Sequence, residues 1–178
     1  MLHRLLKPRA AKAAGTKLYA AAVAQARQPE FYLDLGVEDR VDARFELYTL
    51  HVVLLVERLK DQGEQAAETS EALFETYVSA LDDSLREMGV GDLSLAKKIR
   101  KLGEALMGRT KAYVEALDPE PDSDALTGIV ARNVFSDEAA LERAAPVVDY
   151  IVRAHDALAA QPLKQILEGR PAWPQVRQ

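Results

Sequence analysis

The stretch Leu81-Asp-Asp-Ser-Leu-Arg-Glu-Met-Gly-Val-Gly-Asp-Leu-Ser-Leu-Ala-Lys-Lys-Ile-Arg-Lys-Leu-Gly-Glu-Ala-Leu-Met-Gly-Arg109 decides the fold, because it reads as two helices joined by a tight corner. Gly89 can take the left-handed conformation that ends the first helix near Met88, and the Asp92 carboxylate can accept amide hydrogens of the next first turn. Gly89, Val90, Gly91 and Asp92 are therefore expected to form a helix corner. Beyond it, Leu95, Ile99, Leu102 and Leu106 recur at spacings of four, three and four. At about 100° per residue they occupy an arc of roughly 60°, which is a core-facing seam. Lys97, Lys98, Arg100 and Lys101 project over the opposite arc.

The same periodicity extends in both directions. Towards the N-terminus, Lys17 to Gln28 carries Leu18, Ala22 and Ala26 at spacing four, and Pro29 should stop that helix. Glu30 to Val41 is expected to be an ordered connector, because Phe31, Tyr32, Leu33, Leu35 and Val37 are too apolar to leave in water. Asp42 is expected to cap a helix to about Gln62 that is apolar nearly all round, and a further helix should run from Gln65 to Met88 along a Phe74, Tyr77, Leu81, Leu85 seam. Towards the C-terminus, the basic helix can continue to Leu117, and Asp118 to Asp124 reads as an acidic loop. Helical segments are then expected over Ala125 to Val134, from Ser136 through Arg143, from a first turn holding Pro146 through Leu158, and over Leu163 to Leu167 before Gly169. No window alternates with period two. The class is all-α, a compact single-domain bundle of six or seven helices, with a basic N-terminal segment over 1–17, a helical domain over 18–169 and an irregular tail over 170–178.

Composition narrows the chemistry. The 178 residues are 48% hydrophobic and 29% charged, as in ordinary single domains. There is no cysteine, which excludes disulfides, thiolate metal sites and a cysteine nucleophile. The apolar run Leu47 to Val56 falls far short of the roughly 20 residues needed to cross a bilayer. Although the net charge is −5, residues 1 to 29 hold six Lys and Arg and no acid, and Leu93 to Tyr113 holds six basic residues against Glu104 alone. Self-repulsion without acids at i,i+4 suggests a face that meets a partner. The basic start has no apolar signal region, and it is expected to remain a solvated segment or to meet anionic lipid or ribosomal RNA. Aromatic residues do not interleave with the basic ones, so a base-stacking platform is not expected.

Catalytic motifs fail on context. Gly103 to Thr110 has the spacing of a phosphate loop but lies within a helical repeat, and Gly89-Val-Gly91 has no preceding strand and no third glycine. Asp82 and Asp83 point about 100° apart on a helix and form no dyad. The residues three before His51 and His155 are Tyr48 and Val152, so the Glu-x-x-His pairs of a di-iron bundle are missing. Both histidines are expected to be hydrogen-bonded core residues. No catalytic residue, metal ligand, cofactor or small-molecule substrate is expected.

The run Leu85-Arg-Glu-Met-Gly-Val-Gly-Asp92, with Lys97-Lys98-Ile-Arg-Lys101 and Gly108-Arg109, resembles the central signature of the ubiquinol-cytochrome c chaperone family. Arg27-Gln-Pro-Glu-Phe-Tyr32, Gly36-Val-Glu-Asp39, Arg44-Phe45, Leu50-His51 and Arg132-Asn133 match further blocks in the same order. Ala43, Arg40, Leu106-Met107 and Trp173-Pro174 depart from the usual pattern. The resemblance implies a non-enzymatic assembly factor of bacterial form that binds newly made cytochrome b and helps build the bc1 complex. It implies a cytoplasmic protein at the inner face of the inner membrane, with no DNA partner. On the charge pattern, Arg86, Lys97, Lys98, Arg100, Lys101 and Arg109 are the expected partner-facing patch. A helical lipid- or quinone-binding protein and a ribosome- or RNA-binding module are the competing readings.

Overall fold

The computed structural model describes residues 2–87 and 92–177, and the side chains of residues 10–84, 86, 87 and 103–177. Among the described residues there are eight helices and no strand. They are α1 (Leu2–Ala26), α2 (Pro29–Leu33), α3 (Val41–Leu59), α4 (Glu64–Glu87), α5 (Asp92–Leu117), α6 (Ser123–Asn133), α7 (Leu141–Ala160) and α8 (Leu163–Leu167). The all-α expectation is met. The predicted corner at Gly89 to Gly91 lies outside the described residues, as does the side chain of Asp92, the first residue of α5.

Helix α3 is the axis of the bundle, and α1, α4, α5 and α7 all pack on it. Leu47, Leu50, Val53, Leu54, Leu55 and Leu59 are buried on successive faces, as the nearly unbroken apolar sequence requires. Three polar side chains, Glu46, Thr49 and His51, are buried with them. Burying a polar group without a partner costs several kcal/mol, on the order of 1–3 in measured proteins. Each therefore finds one on a different helix. Thr49 Oγ1 donates to the Phe45 carbonyl at 2.9 Å and accepts from the Tyr77 hydroxyl of α4 at 2.7 Å. His51 bonds to the Leu47 carbonyl through Nδ1 at 2.7 Å, which makes Nδ1 the protonated nitrogen and leaves Nε2 to accept from the Tyr150 hydroxyl of α7 at 2.8 Å. The Tyr150 oxygen accepts in turn from Gln25 Nε2 of α1 at 3.1 Å. Thus His51 is a hydrogen-bonded core histidine, as expected. His155 differs: it is half-buried beside Asp156 on α7.

Several local expectations are revised. The first helix begins at Leu2, not near Lys17, because Ala11 and Ala14 continue the buried face of Leu18, Ala22 and Ala26. The segment after Pro29 is not a plain connector: proline has no amide hydrogen to lose at a helix start, and Pro29–Leu33 forms a single turn that buries Phe31. Leu33 is not packed but 81% exposed. Arg40, not Asp42, is the residue before α3, and no side chain caps that end. Ser136 takes a positive φ of 54°, which breaks the helix expected from 136 to 143. Instead α7 starts at Leu141, so Pro146 lies inside it and not in its first turn. The last residues lack regular structure yet pack firmly: Val176 is buried, Trp173 meets the His51 ring edge-on at 5.0 Å, and Arg153 donates to the Gln175 and Val176 carbonyls at 2.8 and 3.0 Å.

Helices α1 and α4 approach each other closely at Gly15. A Cβ at Gly15 would lie 2.6 Å from the Leu73 backbone nitrogen and 2.7 Å from the Ala72 carbonyl carbon. Those atoms belong to a helix backbone and cannot swing aside. Gly15→Ala is expected to lower stability by about 1–3 kcal/mol through overpacking. Gly128→Ala, in the open interior of α6 where nothing lies within 4 Å, is expected to raise it by about 0.5–1 kcal/mol. Urea unfolding of the two variants checks both signs.

Candidate functional site

An open groove of about 830 Å³ lies between α1, α3, α4, α5 and the end of α6. Its apolar surface comes from Val23, Phe45, Ala80, Leu81 and Ala105, each half-buried, with the rings of Tyr19 and Tyr48 beside them. Val41, at the start of α3, also lines it and is 70% exposed. Charged groups stand over this apolar surface: Arg27, Arg44, Arg109 and Arg132, with Asp42 and Glu46.

The groove is assembled by the same polar pairing that organises the core. Glu46 belongs to the buried side of α3, with 2% exposure, and its one cationic partner arrives from α5: Arg109 Nε lies 2.6 Å from a Glu46 carboxylate oxygen. The Arg109 guanidinium also stacks over the Phe45 ring, with its carbon 5.5 Å from the ring centre. Burial pushes the Glu46 carboxyl up to about 7, against the opposing pull of Arg109. Nearby, Arg27 Nε donates to the Tyr48 hydroxyl at 2.9 Å and its guanidinium stands over the Tyr48 ring at 5.7 Å. Arg44 reaches away to Asp39, with Nη2 to Oδ2 at 2.9 Å. Arg132 is exposed and has no hydrogen bond or ion pair among the described residues.

Of the residues expected to face a partner, Arg109 lines the groove, while Arg86 pairs with Asp82 one turn back on α4 at 2.9 Å and does not line it. The side chains of Lys97, Lys98, Arg100 and Lys101 lie outside the described residues. Tyr19, Arg27, Arg44, Glu46 and Arg132 were not marked as site residues by charge or spacing. One signal could have found Glu46: it is the lone acid inside the apolar run of α3 after its first turn and before Glu57, and a buried acid requires a cation from elsewhere.

Gly103 to Thr110 lies within α5, whose amides are bonded along the helix. Among the described residues no three His, Asp or Glu side chains are placed to hold a metal ion, and no helix is long and apolar enough to cross a membrane.

The described helices form an all-α bundle with an amphipathic groove on one side. The chain is a member of the ubiquinol-cytochrome C chaperone family, whose family model matches residues 33–173. It is also similar to a solved structure, that of the Cbp3 homolog from Brucella abortus, at 29% identity over 99% of this chain and 98% of that one, with a TM-score of 0.87. No curated protein matches. Parts of the sequence blocks that carry the resemblance are found in two places among the described residues. Arg27, Arg44-Phe45, Arg109 and Arg132-Asn133 line the groove. Phe31 and His51 meet Tyr150 in the core, Phe31 edge-on to Tyr150 at 4.9 Å and to His51 at 5.6 Å, and Trp173, where the chain departs from the usual pattern, lies against the His51 ring.

The two buried titratable residues of α3 bend the stability profile in opposite senses. Burial holds His51 down to about 4 from its ordinary 6.5, so its contribution is present above pH 6.5 and is lost as pH falls towards 4. Glu46 is raised from 4.5 to about 7, so its contribution is present below pH 4.5 and is lost as pH rises through 7. Glu46→Gln removes the second dependence. The unfolding free energy of the variant minus that of the unmodified protein should therefore increase from pH 4.5 to 7.5 in urea titrations. A difference constant across that window would mean that Arg109 keeps Glu46 ionised throughout.

Proposed function

We propose that this protein is a non-enzymatic assembly chaperone that binds newly made cytochrome b and promotes formation of the ubiquinol-cytochrome c reductase complex, with the α1/α3/α4/α5 groove as its client-docking face. The observation that carries the reading is the convergence of four separate family-like blocks, from residues 27, 44–45, 109 and 132–133, on one open groove with an apolar surface and a cationic margin. Segments distant in sequence share that surface although the core does not need them there: Arg27, Arg44 and Arg132 are all exposed. An apolar floor suits the amphipathic segments of a membrane subunit before it is fully assembled, and aromatic rings with arginines suit partner recognition.

The basic sequence of α5 complements this role. Arg86 and the run Lys97, Lys98, Arg100, Lys101 precede the helix segment that carries Arg109 into the groove. A positive face there would draw the protein to the anionic inner surface of the membrane, or to a translating ribosome, in the place where cytochrome b is made. The protein then acts from the cytoplasmic side without a cofactor.

Affinity capture of the tagged full-length protein from cells lacking the untagged copy tests the proposal. Cytochrome b should be recovered with the unmodified protein. Ala105→Trp, which fills the groove from α5, should recover much less while retaining a cooperative thermal transition. The triple variant Lys97→Glu, Lys98→Glu, Lys101→Glu should weaken recovery in a salt-dependent manner. Recovery of ribosomes or lipid without cytochrome b would replace the chaperone reading, and undiminished recovery by Ala105→Trp would move the client off the groove.

A further inference from the structure

The charge of the groove is unbalanced, and the imbalance specifies its occupant. Four guanidinium groups line it against two carboxylates. Glu46 is consumed by Arg109, and Arg44 is paired with Asp39, which is not part of the lining. Arg27 is held only by the neutral Tyr48 hydroxyl, and Arg132 by nothing among the described residues. Two guanidinium groups without an acid partner thus share one groove with a single remaining carboxylate, Asp42, and with the apolar side chains of Val23, Phe45 and Leu81, which leaves the positive charge in excess. Arg27 is restrained as well as charged, because its Nε bond and its position over the Tyr48 ring fix the plane of the guanidinium. A fixed guanidinium plane matches the two oxygens of a carboxylate, and holding it beforehand lowers the ordering cost of binding.

We propose that the groove recognises a polypeptide segment in which a carboxylate side chain sits beside apolar side chains, with Arg132 and Arg27 receiving the carboxylate and the Phe45 and Leu81 surface receiving the apolar groups. The inference rests on the client-docking reading above and adds to it the chemistry by which a client segment is chosen. A phospholipid also joins an anion to apolar chains, but the apolar lining here is half-buried in an open trough, so an acyl chain laid in it would stay partly in water. A polypeptide segment presents one face to such a trough and its other faces to solvent or to the rest of the client. The exposed Val41 at the groove's edge is apolar surface that a segment of this kind would cover.

The test uses the full-length chain and overlapping peptides that cover the parts of cytochrome b outside its membrane helices, measured by fluorescence polarisation. Peptides with Asp or Glu next to apolar residues should bind, and replacing that acid by Lys should weaken binding by about tenfold or more. Arg132→Glu should lose the acidic peptide and gain its Lys version. Because Arg132 is exposed and unpaired among the described residues, this variant should keep the thermal transition of the unmodified protein, and Arg132→Gln provides a second variant that loses the acidic peptide without a new charge. The proposal is overturned if no peptide binds, if the acid-to-Lys change has no effect, or if phosphatidylglycerol vesicles bind the groove variants and the unmodified protein unequally while peptides do not. Capture of full-length cytochrome b separates the two levels. Equal recovery by Arg132→Glu and the unmodified protein overturns acid recognition and leaves the chaperone reading intact, whereas no recovery by the unmodified protein overturns the chaperone reading itself.

Discussion

The burial of α3 on nearly every face is the constraint from which the other features follow. A helix enclosed by its neighbours leaves no water for the polar side chains on its buried faces, and α3 carries three of these, Glu46, Thr49 and His51. Each must be met by a group projected from another helix: Glu46 by Arg109 of α5, Thr49 by Tyr77 of α4, and His51 by Tyr150 of α7 with Gln25 of α1 behind it. An apolar core accepts many registers at similar cost, because dispersion and hydrophobic contacts are not directional. A buried hydrogen bond is directional, so a shift of one surrounding helix along α3 would strand a donor or an acceptor. These three pairings are well suited to fix the register of the bundle, and they do so with modest net energies, about 0.5–1.5 kcal/mol for an ordinary hydrogen bond, because the large cost lies in leaving one unmade.

One of the three pairings opens onto the surface. Glu46 is buried, yet Arg109, its partner, is half-buried and lines the groove beside Phe45. The structural ion pair therefore fixes a guanidinium at the place where a partner would meet the protein. Fold and candidate site are joined by that bond, in contrast to the His51 and Tyr150 pair, which the C-terminal residues seal. Trp173 closes over the His51 ring, Pro174 accepts a hydrogen bond from Gln25, and Arg153 holds the chain beyond. Phe31 and His51 thus belong to a sealed cluster that serves the fold, whereas Arg27, Arg44-Phe45, Arg109 and Arg132-Asn133 line an open groove.

Much of the bundle was legible in the sequence because helix periodicity is a local property. The nearly unbroken apolar sequence of α3, the Phe74, Tyr77 and Leu81 seam of α4 and the turn signal at Gly169 each depend on residues a few positions apart. Local signals failed where tertiary packing overrode them. Ala11 and Ala14 carry too little hydrophobic area to announce a helix, yet both are buried, and next to them Gly15 lets α1 approach α4. Leu33 has the character of a core residue and stands in solvent, because the single turn of α2 directs Phe31 fully and Tyr32 partly inward and leaves Leu33 on its outer side.

By itself the sequence determined the all-α class, the order of the helices and the approximate limits of α3, α4 and α6, the core role of His51 and a resemblance to one chaperone family. Only the tertiary structure decided which charged residues keep company. In sequence, Arg109 stands in a basic stretch with one acid and so looks uncompensated; in space, its carboxylate comes from Glu46, 63 positions earlier. Arg27, Arg44 and Arg132 are unremarkable surface arginines until three different helices bring them to one groove. The physical reason is range: the preference of a residue for a helix is settled within a turn or two of chain, whereas an ion pair or a binding surface depends on atoms that folding alone brings within a few ångströms of one another.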